Sequence, residues 1–243
     1  MPPLNSVAAL VLGAGRGDRL GLDIPKAFVM LAGQTLLERS IRALSASKEI
    51  GLIVPVLAAD DRGRWDDLRV GPVAGLVEPV VGGAQRQDSM RAGLASLPER
   101  IEWVVVHDAA RCLVAPDDVR SVVSAARESG AAILGERVRD TIKCAREGRI
   151  LETLEREICW AAQTPQVIRR DRLAEAIALA DRAGRMATDD AQLVEWAGHA
   201  VRIVESAHPN PKITRREDLI IAEALLSRAM PEPAGTTAGR IGW

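Results

Sequence analysis

A chain of 243 residues is long enough for one large α/β domain or two small ones, and for a buried core in either case. Apolar residues make up 47% and charged residues 27%, and the formal net charge is −1. That balance speaks against nucleic acid as a partner, since such proteins carry a basic excess; a few convergent cations still suffice to bind one small anion. Three cysteines (Cys112, Cys144, Cys159) form no CxxC pair and are odd in number. Neither a disulfide framework nor a zinc site is expected from them, but reduced thiols in a cytoplasmic protein. No apolar run approaches the ~20 residues of a membrane span. The N-terminus has no basic region or small-residue cleavage site of a signal peptide. A membrane is therefore not an expected partner.

VAALVL (7–12) is short, continuous and apolar and stops at glycine, as a buried parallel strand does. TLLERSIRAL (35–44) has helical spacing and opens on a Thr35/Glu38 capping box. GLIVPVLA (51–58) is strand-like, with Pro55 pointing to an edge position, and LVEPVV (76–81) is a further short strand. A helix follows at 85–97 and a strand at WVVVHD (103–108). Pro116 suits the first position of a helix reaching about Glu128, and Gly130 leads into a strand at AAILGE. From 137 to 158 the pattern turns alternating and charged around Glu147-Gly148, which predicts a β-hairpin arm. CWAAQTPQ leads to a helix at 170–184; a shorter helix has Thr188 as its N-cap. AVRIVES is a strand and 216–230 a final amphipathic helix. Residues 229–243 lack periodicity and are expected to form a mobile tail.

This alternation predicts an α/β fold of three layers: a mostly parallel, Rossmann-like sheet with helices on both faces and a protruding β-arm. Ligands of such sheets bind beyond the carboxyl ends of the strands. The glycine loop after residue 12, Gly82-Gly83 after 81 and HDAAR (107–111) after 106 all fall there. In GAGRGDR (13–19), backbone N–H groups can turn inward onto phosphate oxygens. Asp18 stands where a dinucleotide fingerprint needs its third glycine, and a Walker loop is absent, so the stretch is neither. Arg19 and Lys26 follow, with Pro25 stiffening the chain before the lysine.

GAGxGxR followed by PK resembles the start of nucleotidyltransferases that join a nucleoside monophosphate to a phosphorylated sugar alcohol. HDAAR, GGxxRxDS (82–89), VRDT (138–141), TPQ (164–166), TDD (188–190) and NPKITRREDL (210–219) narrow it. Together they resemble the 2-C-methyl-D-erythritol 4-phosphate cytidylyltransferase family over about residues 6–228. The resemblance implies one domain (1–228) of the nucleotide-diphospho-sugar transferase type, in which CTP and the sugar-alcohol phosphate give a CDP-alcohol and pyrophosphate. It implies that Arg19 and Lys26 stabilise charge on the α-phosphate, and that Lys212 and Arg156 position the acceptor phosphate. Arg156 would act from an arm crossing to a second subunit, which makes a homodimer the expected assembly. Ala14, Gly15 and Gly17 would cradle CTP, and Gly83 and Ser89 would contact the nucleoside. Asp108 would meet ribose or acceptor hydroxyls, and Arg111, Thr141 and Thr164 the acceptor. Asp108 and Arg111 alternatively form a structural pair shaping their turn; Ser89 and the threonines alternatively satisfy the backbone. Mg²⁺ is expected because triphosphate charge must be neutralised for attack by an anion; its ligands are not legible.

The chain departs from the family's pattern at four places. Gly13-Ala14-Gly15 stands where Ala-Ala-Gly is usual, a change that keeps a small residue. Ala84 stands where an acidic residue is common, Cys112 where proline follows HDAAR, and Pro211 where an aliphatic residue precedes the lysine. Ribitol 5-phosphate as acceptor, and a non-catalytic nucleotide binder on the same fold, are the alternative readings.

Overall fold

The computed structural model describes residues 6–15, 17, 20–68 and 70–229. Arg19 and the tail beyond 229 lie outside them. In chain order the elements are β1 (Val7–Leu12), β2 (Met30–Leu31), β3 (Gln34–Thr35), α1 (Leu36–Ala46), β4 (Leu52–Leu57), α2 (Arg62–Asp67), β5 (Val80–Val81) and α3 (Arg86–Ser96). There follow β6 (Trp103–Asp108), α4 (Pro116–Ser129), β7 (Ala131–Arg137), β8 (Lys143–Arg146), β9 (Arg149–Thr153), β10 (Trp160–Arg169), α5 (Arg170–Arg182), α6 (Asp190–Trp196), β11 (Arg202–Glu205) and α7 (Arg216–Ala229).

Seven strands form the central sheet in the order β11-β7-β10-β6-β1-β4-β5. Neighbours are parallel except around β10, which runs antiparallel to both β6 and β7. Alternate residues of β1 feed two cores. Val7, Ala9 and Val11 pack with Leu37 and Ile41 of α1 and Val119, Val122 and Val123 of α4. Ala8 and Leu10 pack with Met90 of α3, Leu173 and Ile177 of α5, and Leu193 and Val194 of α6. A strand covered on both faces must be apolar at every position, which is why VAALVL shows no alternation. The expected three layers are therefore present.

The boundaries carry their local chemistry. Thr35 caps α1, its Oγ1 accepting from the Glu38 N–H at 3.1 Å. Glu38 does not complete the box; its carboxylate accepts from Arg42 instead. Gly130 ends α4 in the left-handed region at φ 89°. Pro55 is tolerated one strand in from the edge. Ile53 and Leu57 direct their backbone groups to the β5 side, bonding Gly75, Val77 and Gly82. Pro55 falls between them, facing a stretch of residues 78–79 that is not yet paired. Its missing N–H is thus never called on.

Two sequence expectations need correction, and one strand was not foreseen. CWAAQTPQ leads to α5 as expected, but it does so as most of the ten-residue strand β10. The strand expected over 76–81 shrinks to Val80–Val81, with a single bridge from Ile53 to Leu76. The N-cap of α6 is Asp189, whose Oδ1 accepts from the Gln192 N–H at 3.0 Å, and not Thr188. The arm is a hairpin of β8 and β9, every residue of both strands exposed. Glu147 and Gly148 turn it with φ of 50° and 77°, the two positive values of a tight two-residue turn.

Candidate active site at the carboxyl ends of β1 and β6

Backbone bonds carry the sheet past its strands and set three loops side by side. The Gly13 N–H donates to Val56 O (2.8 Å), Gly82 N–H to Leu57 O (2.7 Å) and Ala109 N–H to Leu12 O (3.0 Å). Between these loops lies a cavity of about 190 Å³ lined by the 12–15 turn, Lys26, Gly83, Arg86, Ser89, Asp108 and Lys212, among others. Seven expected residues thus meet in one place: Ala14, Gly15, Lys26, Gly83, Ser89, Asp108 and Lys212. This is the edge where ligands of such sheets bind.

Lys26 is held from behind. It opens a single 3-10 turn, Lys26–Phe28, with Ala27 and Phe28 buried, directly after Pro25. Gly17 presses against it: a Cβ there would stand 2.6 Å from the Lys26 Cβ, and Gly17 has φ 78°. Only glycine allows both the conformation and the approach. Farther on, Arg216 of α7 donates from Nε to Leu20 O (3.1 Å) and from a terminal nitrogen to Gly21 O (2.8 Å). A third small core of Leu20, Val29, Leu31, Leu36, Cys112 and Ile213 unites that loop with the NPK segment. Cys112 is buried in it, where burial pushes the thiol up to about 11. Packing here does the stiffening that proline would otherwise supply.

The second loop is pinned by Ser89, whose Oγ accepts from the Gly83 N–H at 3.2 Å and donates to Gln85 O at 3.2 Å. Asp108 closes β6. Its N–H donates to Thr164 Oγ1 (3.1 Å), its Oδ1 accepts from Arg86 Nε (3.1 Å) and its Oδ2 from Lys212 Nζ (2.6 Å). Burial alone would raise this carboxyl, but Arg86 and Lys212 together hold it well below the usual carboxylate range. Arg86 reaches further, donating to Asp190 Oδ2 at 2.8 Å. Thr164 therefore sits behind the site as a brace for Asp108.

Besides Gly17 and Thr164, which back the site, three expected residues stand off the cavity. Arg111 donates to Asn210 O (2.9 Å) and Ala162 O (3.2 Å), splinting the NPK loop to β10. Thr141 is exposed at the foot of the arm. Arg156 lies past β9, its side chain 49% exposed, donating to Arg139 O at 3.1 Å. Arg86, Asp190, Gln166 and Asn210 stand in the sequence motifs, but sequence reasoning gave none of them a place in the site. Buried Asn210 donates to Gln163 Oε1 (2.9 Å) and Thr164 O (3.0 Å), and Gln166 Oε1 accepts the Asp190 and Ala191 N–H groups (3.0 and 2.9 Å). Arg86 carried a signal: a cation in a helix's first turn opposes the helix dipole and calls for another reason to be there.

His107 is fully buried, its Nδ1 3.1 Å from Thr164 Oγ1. Burial lowers its imidazole to about 4. The unfolded chain binds that proton near pH 6.5 and the folded chain does not. Stability is therefore full above about pH 6.5 and falls as the pH drops toward 4, by up to about 3 kcal/mol. Denaturation midpoints between pH 7 and 4.5 should show this slope in the wild type and a flatter one in His107→Asn; equal slopes would remove His107 as its source.

Among the described residues, no group of three His, Cys, Asp or Glu side chains stands ready to hold a metal, and no helix is long and apolar enough to cross a membrane. Among those same residues, Asp108 is the one carboxylate lining the cavity, and both its oxygens are engaged. This donor set fits a divalent cation that rides on ligand phosphates, not one caged by protein.

The chain's likeness to known proteins agrees with this site. The family model for 2-C-methyl-D-erythritol 4-phosphate cytidylyltransferase matches residues 7–228. A relative of that name from Pelotomaculum thermopropionicum is 42% identical, with 92% of this chain and 95% of the relative aligned. One from Geobacillus kaustophilus is 40% identical over 92% and 98%. Among solved structures, the 2-C-methyl-D-erythritol 4-phosphate cytidylyltransferase of Thermus thermophilus is 35% identical with a TM-score of 0.74, covering 90% of this chain and 98% of its own. The 4-diphosphocytidyl-2C-methyl-D-erythritol synthase of Anaerococcus prevotii reaches a TM-score of 0.82 at 27% identity, covering 93% and 97%. Sequence, fold and the motifs that meet in the cavity thus agree: the chain belongs to the 2-C-methyl-D-erythritol 4-phosphate cytidylyltransferase family.

Proposed function

We propose that this chain transfers CMP from CTP to 2-C-methyl-D-erythritol 4-phosphate. An oxygen of the acceptor's phosphate attacks the α-phosphorus of CTP; the new P–O bond forms as the bond to the β-phosphate breaks, and pyrophosphate leaves with that electron pair. The observation that carries this reading is the pairing of Lys26 and Lys212 in one cavity with the glycine turn. The nucleophile is already anionic, so no proton has to be removed. Catalysis then comes from alignment and fixed charge. His107 fits that account, since it is buried and neutral instead of poised as a base.

In this mechanism the amides of the 13–17 turn hold the nucleotide's phosphates, and Lys26 and Arg19 meet the charge that grows on the α-phosphate. Lys212 receives the acceptor phosphate and keeps it in line. A divalent cation such as Mg²⁺, arriving with the nucleotide, would supply neutralisation of the triphosphate charge. The reaction runs in the cytoplasm. Pyrophosphate release from CTP tests the reading: it is expected with methylerythritol phosphate and about 100-fold slower with ribitol 5-phosphate, whose different carbon skeleton misplaces the attacking oxygen. The reverse preference would reassign the acceptor, and no release with either would make the chain a nucleotide binder.

The acceptor site is completed by Arg156 and Thr141 from the arm of a second subunit in a homodimer. The arm favours this, since a lone two-stranded hairpin is marginal in water and this one exposes Ile150 and Leu151. Arg156→Ala and Lys212→Ala enzymes should each be nearly inactive. Mixed and allowed to exchange subunits, half the dimers pair one of each and hold one complete site, restoring about a quarter of wild-type turnover. No recovery would place Arg156 and Lys212 in service of the same subunit.

A further inference from the structure

Four charged side chains from four separate segments are linked in a row, Arg86, Asp108 and Lys212 lining the cavity and Asp190 buried behind Arg86: the contacts Asp190–Arg86, Arg86–Asp108 and Asp108–Lys212 are 2.8, 3.1 and 2.6 Å. The signs alternate. We propose that Arg86 is a positioning residue: braced by Asp190, it fixes the carboxylate of Asp108 from one side and so sets where the Lys212 ammonium stands on the other. The proposal rests on the reading of Lys212 as the group that meets the acceptor phosphate.

The physical case starts from Lys212. An ammonium on a four-carbon stem has little direction of its own, and its side chain here is 38% exposed. Its one anchor in the row is Asp108 Oδ2, which leaves two of its three N–H groups to turn into the cavity. Asp108 could swing about its own side-chain bond and carry the lysine with it. Its main chain is held by Thr164; its carboxylate plane is held by the Arg86 Nε on Oδ1. Arg86 in turn is kept from turning by a second carboxylate, on Asp190, whose side chain is 1% exposed. Asp190 cannot drift, because Gln166 clasps its N–H and that of Ala191.

The residue types suit this task and no simpler one. Arg86 occupies the first position of α3, where the helix dipole disfavours a cation. Asp190 is almost wholly buried, where a carboxylate persists only with a partner. A planar guanidinium can serve two carboxylates from different nitrogens; an ammonium offers no such fork. Sharing Asp108 between two cations also leaves it compensated when Lys212 turns to a phosphate, so that the lysine is aimed without being sequestered.

The test is a kinetic cycle with Arg86→Met, Lys212→Met and the double variant, alongside Arg86→Lys. Arg86→Met should lower kcat/KM for the acceptor about 30-fold while KM for CTP moves less than about threefold, the size of loss that misplacing one group produces. The double variant should be no slower than Lys212→Met within about threefold, because the two act as one unit. Arg86→Lys, which keeps the charge and spares the fold, should still lose about tenfold, with its melting midpoint near that of the wild type. Multiplicative losses in the double variant, or full activity in Arg86→Lys, would overturn the proposal. A readout without turnover separates it from the activity itself. The chain has four lysines, so the Lys212 ammonium resonance can be assigned in isotope-labelled protein. That resonance should shift in Arg86→Lys; an unmoved signal refutes the brace even if the wild type proves active, whereas a shift in an enzyme that releases no pyrophosphate faults the reading of the acceptor.

Discussion

Lys26→Ala is expected to lower the turnover of pyrophosphate release from CTP by at least about 100-fold, with a folded protein and a nearly unchanged KM for CTP. The magnitude is that of removing one fixed positive group from a transition state, about 3 kcal/mol. The split between kcat and KM follows from where the charge is needed. In the proposed mechanism the amides of the glycine turn cradle the nucleotide's phosphates before reaction, and the lysine is reserved for charge that grows during it. The structure supports the fixed position this requires. Pro25 sets the entry to the turn, Ala27 and Phe28 bury its far side, and Gly17 backs the Lys26 Cβ. Far-ultraviolet circular dichroism should match the wild type, since the substitution removes no buried atom of the core. A variant that binds CTP and turns over at the wild-type rate would take Lys26 out of the mechanism.

The second large effect belongs to Asp108. Asp108→Asn keeps the shape of the side chain and removes its charge, leaving Arg86 and Lys212 facing an amide. Deleting one partner of a fully buried ionic arrangement costs about 3–5 kcal/mol; here Arg86 keeps Asp190 and Lys212 is 38% exposed, which cuts the expected loss to about 1–3 kcal/mol. Urea denaturation at pH 7 should show that loss, together with a fall in transfer activity as Lys212 loses its anchor. Its pH dependence has a definite sign. The carboxyl is depressed in the folded state by Arg86 and Lys212, so its stabilisation is present above the ordinary carboxylate pKa and is lost as the pH falls below about 4. The variant's deficit should therefore be constant from pH 5 to 8 and shrink in stronger acid, a window below that of His107. A deficit under about 1 kcal/mol at pH 7 would mean that solvent, not Asp108, compensates the two cations.

Much of this molecule is written locally. The apolar run 7–12, the helical spacing of 35–44, Pro116 at a helix start, Gly130 at its end and the Glu147-Gly148 turn each state their own conformation through nearest neighbours. Two of the cations lining the cavity, Lys26 and Lys212, were legible for the same reason: Pro25-Lys26 and the NPK segment are short patterns whose chemistry lies within a few residues. Where the sequence was silent, the deciding contacts lay far away. Nothing within CWAAQTPQ marks it as a strand entering between β6 and β7 against their direction. That arrangement is set by pairing with Val104–Val106 and Ala131–Ile133.

The row of charges shows the same division more sharply. Each of Arg86, Asp108, Asp190 and Lys212 is visible in a motif, and each taken alone reads as a cap, a turn former or a surface charge. Their pairing joins positions 22 residues apart at the nearest and 104 at the farthest. Side-chain periodicity and turn chemistry report on conformation over a few residues, because they arise from sterics and hydrogen bonds along one stretch of chain. Which cation meets which carboxylate depends on loops that only the folded sheet brings together. The sequence by itself determined the layers, most of the strands and the cationic character of the site; the tertiary structure alone decided the direction of β10 and the partners of Asp108, since both are fixed by contacts that exist only after the chain has closed on itself.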